Sequence, residues 1–227
     1  MTKIRRLAPE IGASTHLPMQ KKQTQSTKRT HAVRNICVYC GSGKGNNPAY
    51  AEAARALGRS LAEHDIGLVY GGGGMGLMGE VARATLDAGG RVTGIIPGFL
   101  TEREHMLLDA DELVITANMH ERKQLMFEKS DAFVALPGGI GTLEELVEQL
   151  TWYQLGQHTK PIVVANIENY WTPFLSLLQH MREDAFIRNG LEVSFTVVDE
   201  AQKIVPAVVA ASDRQNGIKP SELVDKL

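Results

Sequence analysis

The sequence predicts an α/β fold, a Rossmann-like doubly wound parallel sheet in a single domain. Three observations carry that prediction. From Arg34 onward, short apolar runs alternate with amphipathic helical stretches. The runs are mostly continuous rather than alternating, as strands covered on both faces require. Several of them end in glycine-rich loops that lead straight into a helix. Strand and helix repeating in this order imply βαβ crossovers, and a ligand is then expected at the carboxyl ends of the strands.

Taken in order, the first strand is expected in NICVYC (35–40), followed by a helix over 48–64. IGLVY (66–70) leads to a helix over 75–88, and RVTGIIP (91–97) and ELVIT (112–116) follow as two more strands. Asn118 then opens a helix over 119–130, because an Asn side chain satisfies the free amides of a first turn. DAFVALP (131–137) precedes a helix over 142–155, KPIVVAN (160–166) one over 170–185, and SFTVVD (194–199) one over 199–211. The domain so defined covers 34–212. A basic extension without structure is expected over 1–33 and a loose tail over 213–227, both by composition.

With 227 residues, 43% of them hydrophobic, the chain can bury one sizeable core, and no apolar stretch approaches the roughly 20 residues of a membrane span. Lys3, Arg5, Arg6, Lys21, Lys22, Lys28 and Arg29 face only Glu10 among the first 30 residues, so the rest of the chain is acidic. An acidic body argues against nucleic acid as the partner. Two cysteines, Cys37 and Cys40, make no disulfide framework, which favours a reducing, cytoplasmic setting. Three apart on a strand, they point to opposite faces, against a redox or metal pair. The seven histidines lack H-x-x-x-H or H-E-x-x-H spacing, so no metal is expected.

Three strands end in loops of small residues: CGSGKGN (40–46), YGGGGMGLMG (70–79) and LPGGIGT (136–142). In a parallel sheet all three face one rim, where glycine lets backbone amides approach a ligand and helix N-termini favour an anion. A phosphate is the simplest guest, with Ser42, Gly72, Gly73, Gly74, Gly138, Gly139, Ile140, Gly141 and Thr142 as its cradle. GSGKG is not a P-loop, because Lys44 precedes Gly45 rather than Ser or Thr. GGGGMG satisfies G-x-G-x-x-G, but no acidic residue closes the next strand to hold a ribose, which weakens a dinucleotide.

Carboxylates stand beside this cradle. Thr142 as N-cap with Glu145 three residues later would form a capping box, and Leu143, Leu146, Val147 and Leu150 would form the buried stripe. Glu144 and Glu148 then face solvent, while Glu145 is open to a cap, a ligand contact or both. Arg122 and Lys123 lie early in the helix opened by Asn118, on the same rim, where a guanidinium suits a phosphate, a ribose or a leaving base.

YGGGGMGLMG, the ERK run at 121–123, PGGIGTLEE (137–145) and TWYQLGQHTKPI (151–162) together resemble the LONELY GUY (LOG) family of cytokinin-activating phosphoribohydrolases, over about residues 35–198. The resemblance implies a Rossmann-like homodimer without a cofactor that hydrolyses the N-glycosidic bond of N6-substituted adenine nucleoside 5′-monophosphates or AMP. Free base and ribose 5-phosphate are the expected products. Arg122 and Glu145 match the family's catalytic pair. Glu104, Lys123, the span from Gly139 through Leu143 and Glu144 to Glu145, and Thr151 match its substrate contacts. The alternative is a nucleotide-binding carrier or sensor that hydrolyses nothing. A lysine decarboxylase would need pyridoxal phosphate on a lysine, and only Lys123 is placed on the rim for it.

Overall fold

The computed structural model describes residues 3–6, 33–101, 105–187 and 194–216. The elements run β1 (Lys3–Arg6), β2 (Asn35–Tyr39), α1 (Pro48–Glu63), β3 (Gly67–Tyr70), α2 (Gly76–Asp87), β4 (Val92–Pro97), β5 (Glu112–Thr116), α3 (Met119–Glu128), β6 (Ala132–Ala135), α4 (Ile140–Gln154), β7 (Ile162–Ala165), α5 (Thr172–Glu183), β8 (Thr196–Val198) and α6 (Ile204–Asn216). The strands form one sheet in the order β1-β5-β4-β3-β2-β6-β7-β8. Every pairing is parallel.

Continuous apolar runs become strands covered on both sides, and β2 shows how. Ile36, Val38 and Cys40 join the core under α1, α2 and α6, while Cys37 and Tyr39 join the core under α3, α4 and α5. The alternation is the two-residue period of a strand, and it separates the two free cysteines onto opposite faces as expected. From β2 the chain crosses to β3 on one side, and from β6 it crosses to β7 on the other. The crevice of a doubly wound sheet therefore opens between the carboxyl ends of β2 and β6.

Local chemistry sets the helix starts. Asn47 accepts a bond from Ala49 N at 2.9 Å with Pro48 in the first turn, and Asn118 accepts one from Glu121 N at 3.0 Å. Beyond α4, His158 is buried among the rings of Phe127, Phe133 and Tyr153. Burial pushes its pKa down from 6.5 to about 4. Lys160 lies 3.7 Å from the centre of the Phe127 ring and donates to Phe127 O, closing the end of α3.

Three expectations are corrected. Residues Lys3–Arg6 of the supposedly unstructured extension add a strand beside β5, a pairing that no local pattern announces; residues 7–32 lie outside the described ones. Helix α6 runs to Asn216 and takes in the first residues of the expected tail, whose remainder from 217 also lies outside. The buried stripe of α4 is Thr142, Glu145, Leu146, Gln149 and Leu150, while Val147 is exposed. Among the described residues no helix is long and apolar enough to cross a membrane.

Candidate active site

The three glycine loops meet on one rim but do three different jobs. The loops after β2 and β6 lie back to back, with Gly41 N donating to Pro137 O at 3.1 Å. The first turn of α2 gives its free amides to the β2 loop: Leu77 N donates to Gly41 O at 2.9 Å, and Met78 N to the same oxygen at 3.3 Å. A Cβ at Gly76, whose φ is +59°, would overlap the Ser42 carbonyl, so this close seating needs glycine.

The loop of Gly72, Gly73 and Gly74 makes protein contacts on the rim. Gly74 N donates to His105 O at 2.8 Å, Gly72 O accepts from Leu107 N at 3.2 Å, and Gly73 forms a bridge with Met106. This loop straps down the 105–107 segment. One of its donors, Gly74 N, is committed to a protein carbonyl, a use that a glycine count cannot distinguish from a ligand cradle.

Helix α4 differs. It begins at Ile140, one turn earlier than a Thr142 cap would place it, and its N-cap Gly139 brings no side-chain acceptor. The capping box is thus overturned: Thr142 and Glu145 are one turn apart inside the helix, both buried. The amides of Ile140, Gly141 and Thr142 have no intrahelical partner, and the positive end of the helix is aimed at a cavity of about 250 Å3. Tyr39, Ser42, Gly71, Arg122, Thr142 and Glu145 line it.

Within that cavity Arg122 Nη1 stands 3.5 Å from Glu145 Oε1, with side chains 9% and 10% exposed. Arg122 Nε also donates to Ile95 O at 3.2 Å, which fixes the guanidinium plane across the end of β4. Gly71 makes room for it, because a Cβ there would overlap Arg122 Nη2. Removing two ions from water costs several kcal/mol each, so such a pair does not exist for stability alone. What it offers is a fixed cation and a fixed anion beside the same anion-seeking helix end.

Tyr39 was missed by sequence reading. Its phenol is buried against this pair, and its pKa is raised, first by burial and then by the negative character of Cys37 and Glu145. The phenol stays protonated on the cavity wall. Its position at the carboxyl end of β2, on the face opposite Cys40, was the available signal. Burial likewise pushes the Cys37 thiol up, which keeps it inert.

The family model described as "Possible lysine decarboxylase" matches residues 78–208. The cytokinin riboside 5′-monophosphate phosphoribohydrolase LOG5 of Arabidopsis thaliana is 40% identical over 185 residues, 82% of this chain and 81% of that one. This chain belongs to the LONELY GUY family. The cytokinin riboside 5′-monophosphate phosphoribohydrolase LOG of rice (Oryza sativa subsp. japonica) is 48% identical over 160 residues, 70% of this chain and 66% of that one. Solved structures agree on the fold alone. The molybdenum cofactor carrier protein of Chlamydomonas reinhardtii is 22% identical with a TM-score of 0.59, covering 80% of this chain and 98% of that one. The molybdenum cofactor binding protein of Rippkaea orientalis is 21% identical with a TM-score of 0.58, covering 76% and 93%.

The remaining positions carried over from the LONELY GUY family are not all brought into the cavity. Gly139, Ile140 and Gly141 line it with Thr142 and Glu145; Leu143 is half-buried against the core below, and Gly138 lines an adjoining chamber. Lys123 turns to the outer flank of α4, where its Nζ lies 2.7 Å from Glu144 and 2.9 Å from Glu148. Those carboxylates therefore serve Lys123 rather than facing solvent alone. Thr151 is exposed and donates to Val147 O at 2.8 Å. Glu104 lies outside the described residues.

The decarboxylase description would imply pyridoxal phosphate, and the lysines do not fit it. Burial works to lower the pKa of Lys123, but bonds to Glu144 and Glu148 outweigh it and raise the pKa above the ordinary value. An imine-forming lysine needs the opposite, a neutral amine inside the cavity. Lys44, in the loop after β2 and not weighed from sequence for this role, is paired to Glu80 at 2.7 Å.

Proposed function

We propose that this chain hydrolyses the N-glycosidic bond of adenine nucleoside 5′-monophosphates, N6-substituted ones included, giving free base and ribose 5-phosphate. The observation that carries the reading is the buried Arg122–Glu145 pair beside the uncapped start of α4. The 5′-phosphate takes the amides of Ile140, Gly141 and Thr142, assisted by the hydroxyls of Thr142 and Ser42. Cleavage of the bond between C1′ and the base nitrogen leaves positive charge on the ribose, and the Glu145 carboxylate stabilises it. Water adds to C1′ with Glu145 orienting it and accepting its proton; that proton leaves with the base. Arg122 orients the nucleotide and offsets the negative charge that develops on the departing base.

The chain acts as a homodimer in this reading. Ile140, Val147 and Leu155 recur along the outer face of α4 and are 83%, 41% and 54% exposed, an apolar stripe that asks for cover. Thr151 lies on the same face, about 9 Å along the axis from Glu145. A second copy seated there brings Thr151 toward the partner's nucleotide.

The test is direct. The purified chain is incubated separately with AMP and with isopentenyladenosine monophosphate, and free base and ribose 5-phosphate are assayed. Equal amounts of both products are expected. A chain that retains nucleotide without releasing either product is a carrier or sensor instead.

A further inference from the structure

Glu168 and Asn169, in the turn that follows β7, stand at φ +51° and +60°, the left-handed region that most side chains disfavour. Such a pair persists only where its surroundings hold it. Asn166 does so: its N–H donates to Val198 O at 2.7 Å, its carbonyl accepts from Asn169 N at 3.1 Å, and its Oδ1 accepts from Trp171 N at 2.7 Å. What the turn delivers is Tyr170. Its ring packs edge to face on Tyr50 of α1 at 5.4 Å and on Trp171 at 5.1 Å, and its hydroxyl donates to Gly138 O, 32 residues away in sequence.

Gly138 O is the middle one of three carbonyls on the turn that enters α4, and each has its own donor. Pro137 O accepts from Gly41 N at 3.1 Å, Gly138 O from the Tyr170 hydroxyl, and Gly139 O from Leu143 N at 3.0 Å. The outer two bonds are backbone to backbone. The middle one depends on a single side chain. It also holds the peptide most able to turn over, because glycine flanks it on both sides and tolerates either sign of φ. Gly139 has φ −85°, and a Cβ on it would meet nothing within 4 Å, so in the present orientation neither φ nor crowding calls for glycine. Turning the peptide over carries Gly139 to positive φ, which does. In a trans peptide the N–H lies opposite the C=O, so with Gly138 O on Tyr170 the Gly139 N–H is turned from it; the turned-over form exchanges that N–H for a partly negative oxygen.

We infer that Tyr170 is a positioning residue for the nucleotide's phosphate: its hydroxyl keeps the Gly138–Gly139 peptide from turning over, so that the Gly139 N–H joins those of Ile140, Gly141 and Thr142 and no carbonyl faces the anion. The inference rests on the proposed function for the phosphate at the start of α4. Tyr170 acts through one carbonyl, and the bond that polarises that carbonyl also strengthens the N–H of the same peptide as a donor.

Tyr170→Phe keeps the ring on Tyr50 and Trp171 and removes the hydroxyl alone; Tyr170→Leu removes both. Each is titrated with AMP by calorimetry in Glu145→Gln protein, which holds nucleotide without rapid turnover, and each is assayed for base release with Glu145 in place. Tyr170→Phe should weaken AMP binding about tenfold, raise KM about as much, and change kcat less than about threefold. AMP binding by Tyr170→Phe within about twofold of its parent, a loss seen only in Tyr170→Leu, or a fall in kcat as large as that in kcat/KM overturns the inference. If the wild-type chain releases no base from AMP while Tyr170→Phe still weakens AMP binding tenfold, the proposed function fails and the positioning role stands. If Glu145→Gln protein does not bind AMP at all, both fall.

Discussion

Glu145→Gln separates catalysis from structure, because its two effects have different sizes. The carboxylate lies 3.5 Å from the Arg122 guanidinium. With an effective dielectric of about 20 the gross attraction is about 5 kcal/mol. Desolvation of two nearly buried ions cancels most of that. Gln keeps the shape and an oxygen for the guanidinium, and Arg122 keeps Ile95 O. The expected loss of stability is therefore about 1–2 kcal/mol, or about 2–8 °C in Tm for a domain of this size. Turnover loses the anion that faces the developing charge at C1′, and general acid–base help with it, an effect of about 10²- to 10⁴-fold. That range corresponds to about 3–5 kcal/mol of barrier. The assay is the initial rate of ribose 5-phosphate release at saturating AMP, paired with thermal melting by circular dichroism. Turnover within about threefold of wild type in a folded variant would refute the assignment of Glu145.

Other expectations follow from single contacts. Gly71→Ala places a methyl where Arg122 Nη2 lies; the guanidinium should be displaced, with turnover falling about 10²-fold, and unchanged turnover would show that its position does not matter. For Arg122→Ala, a large loss of turnover with an intact circular dichroism spectrum is expected; normal turnover rejects its role. His158 makes stability pH-dependent. Because its folded pKa, about 4, lies below the ordinary 6.5, the unfolded chain binds more protons between those values, and stability falls as pH drops through that window. Allowing for residual solvent access the change is about 2 kcal/mol, and denaturant titrations at pH 7 and pH 4.5 should show it shrinking in His158→Gln. Finally, Val147→Glu places a charge on the exposed stripe of α4 and should give monomers in sedimentation; a dimer that survives it forms elsewhere.

The predicted architecture was legible because its signals are local. Doubly covered strands must be apolar throughout, as β3, β6 and β7 are, and Asn118 marks a helix start through a bond spanning three residues. The pairing of Arg122 with Glu145 was also reachable, from the motifs that place both on one rim. The register of α4 was not. A Thr-x-x-Glu string reads as a cap wherever it stands, and only the packing of α4 against β2 and the uncapped Gly139 show that Thr142 and Glu145 are buried helical residues.

By itself, then, the sequence determined the order of strands and helices from β2 onward and the rim that carries the loops, since each follows from periodicity and residue type along the chain, while Arg122 and Glu145 were singled out by resemblance to the family. Tertiary structure alone decided that Gly72 and Gly74 bond the 105–107 segment, that Lys123 serves Glu144 and Glu148 on the outer flank, and that Tyr39 lines the same cavity as Arg122 and Glu145. Hydrogen-bond donors are assigned by whichever acceptor folding brings within about 3 Å, and these acceptors come from segments distant in sequence.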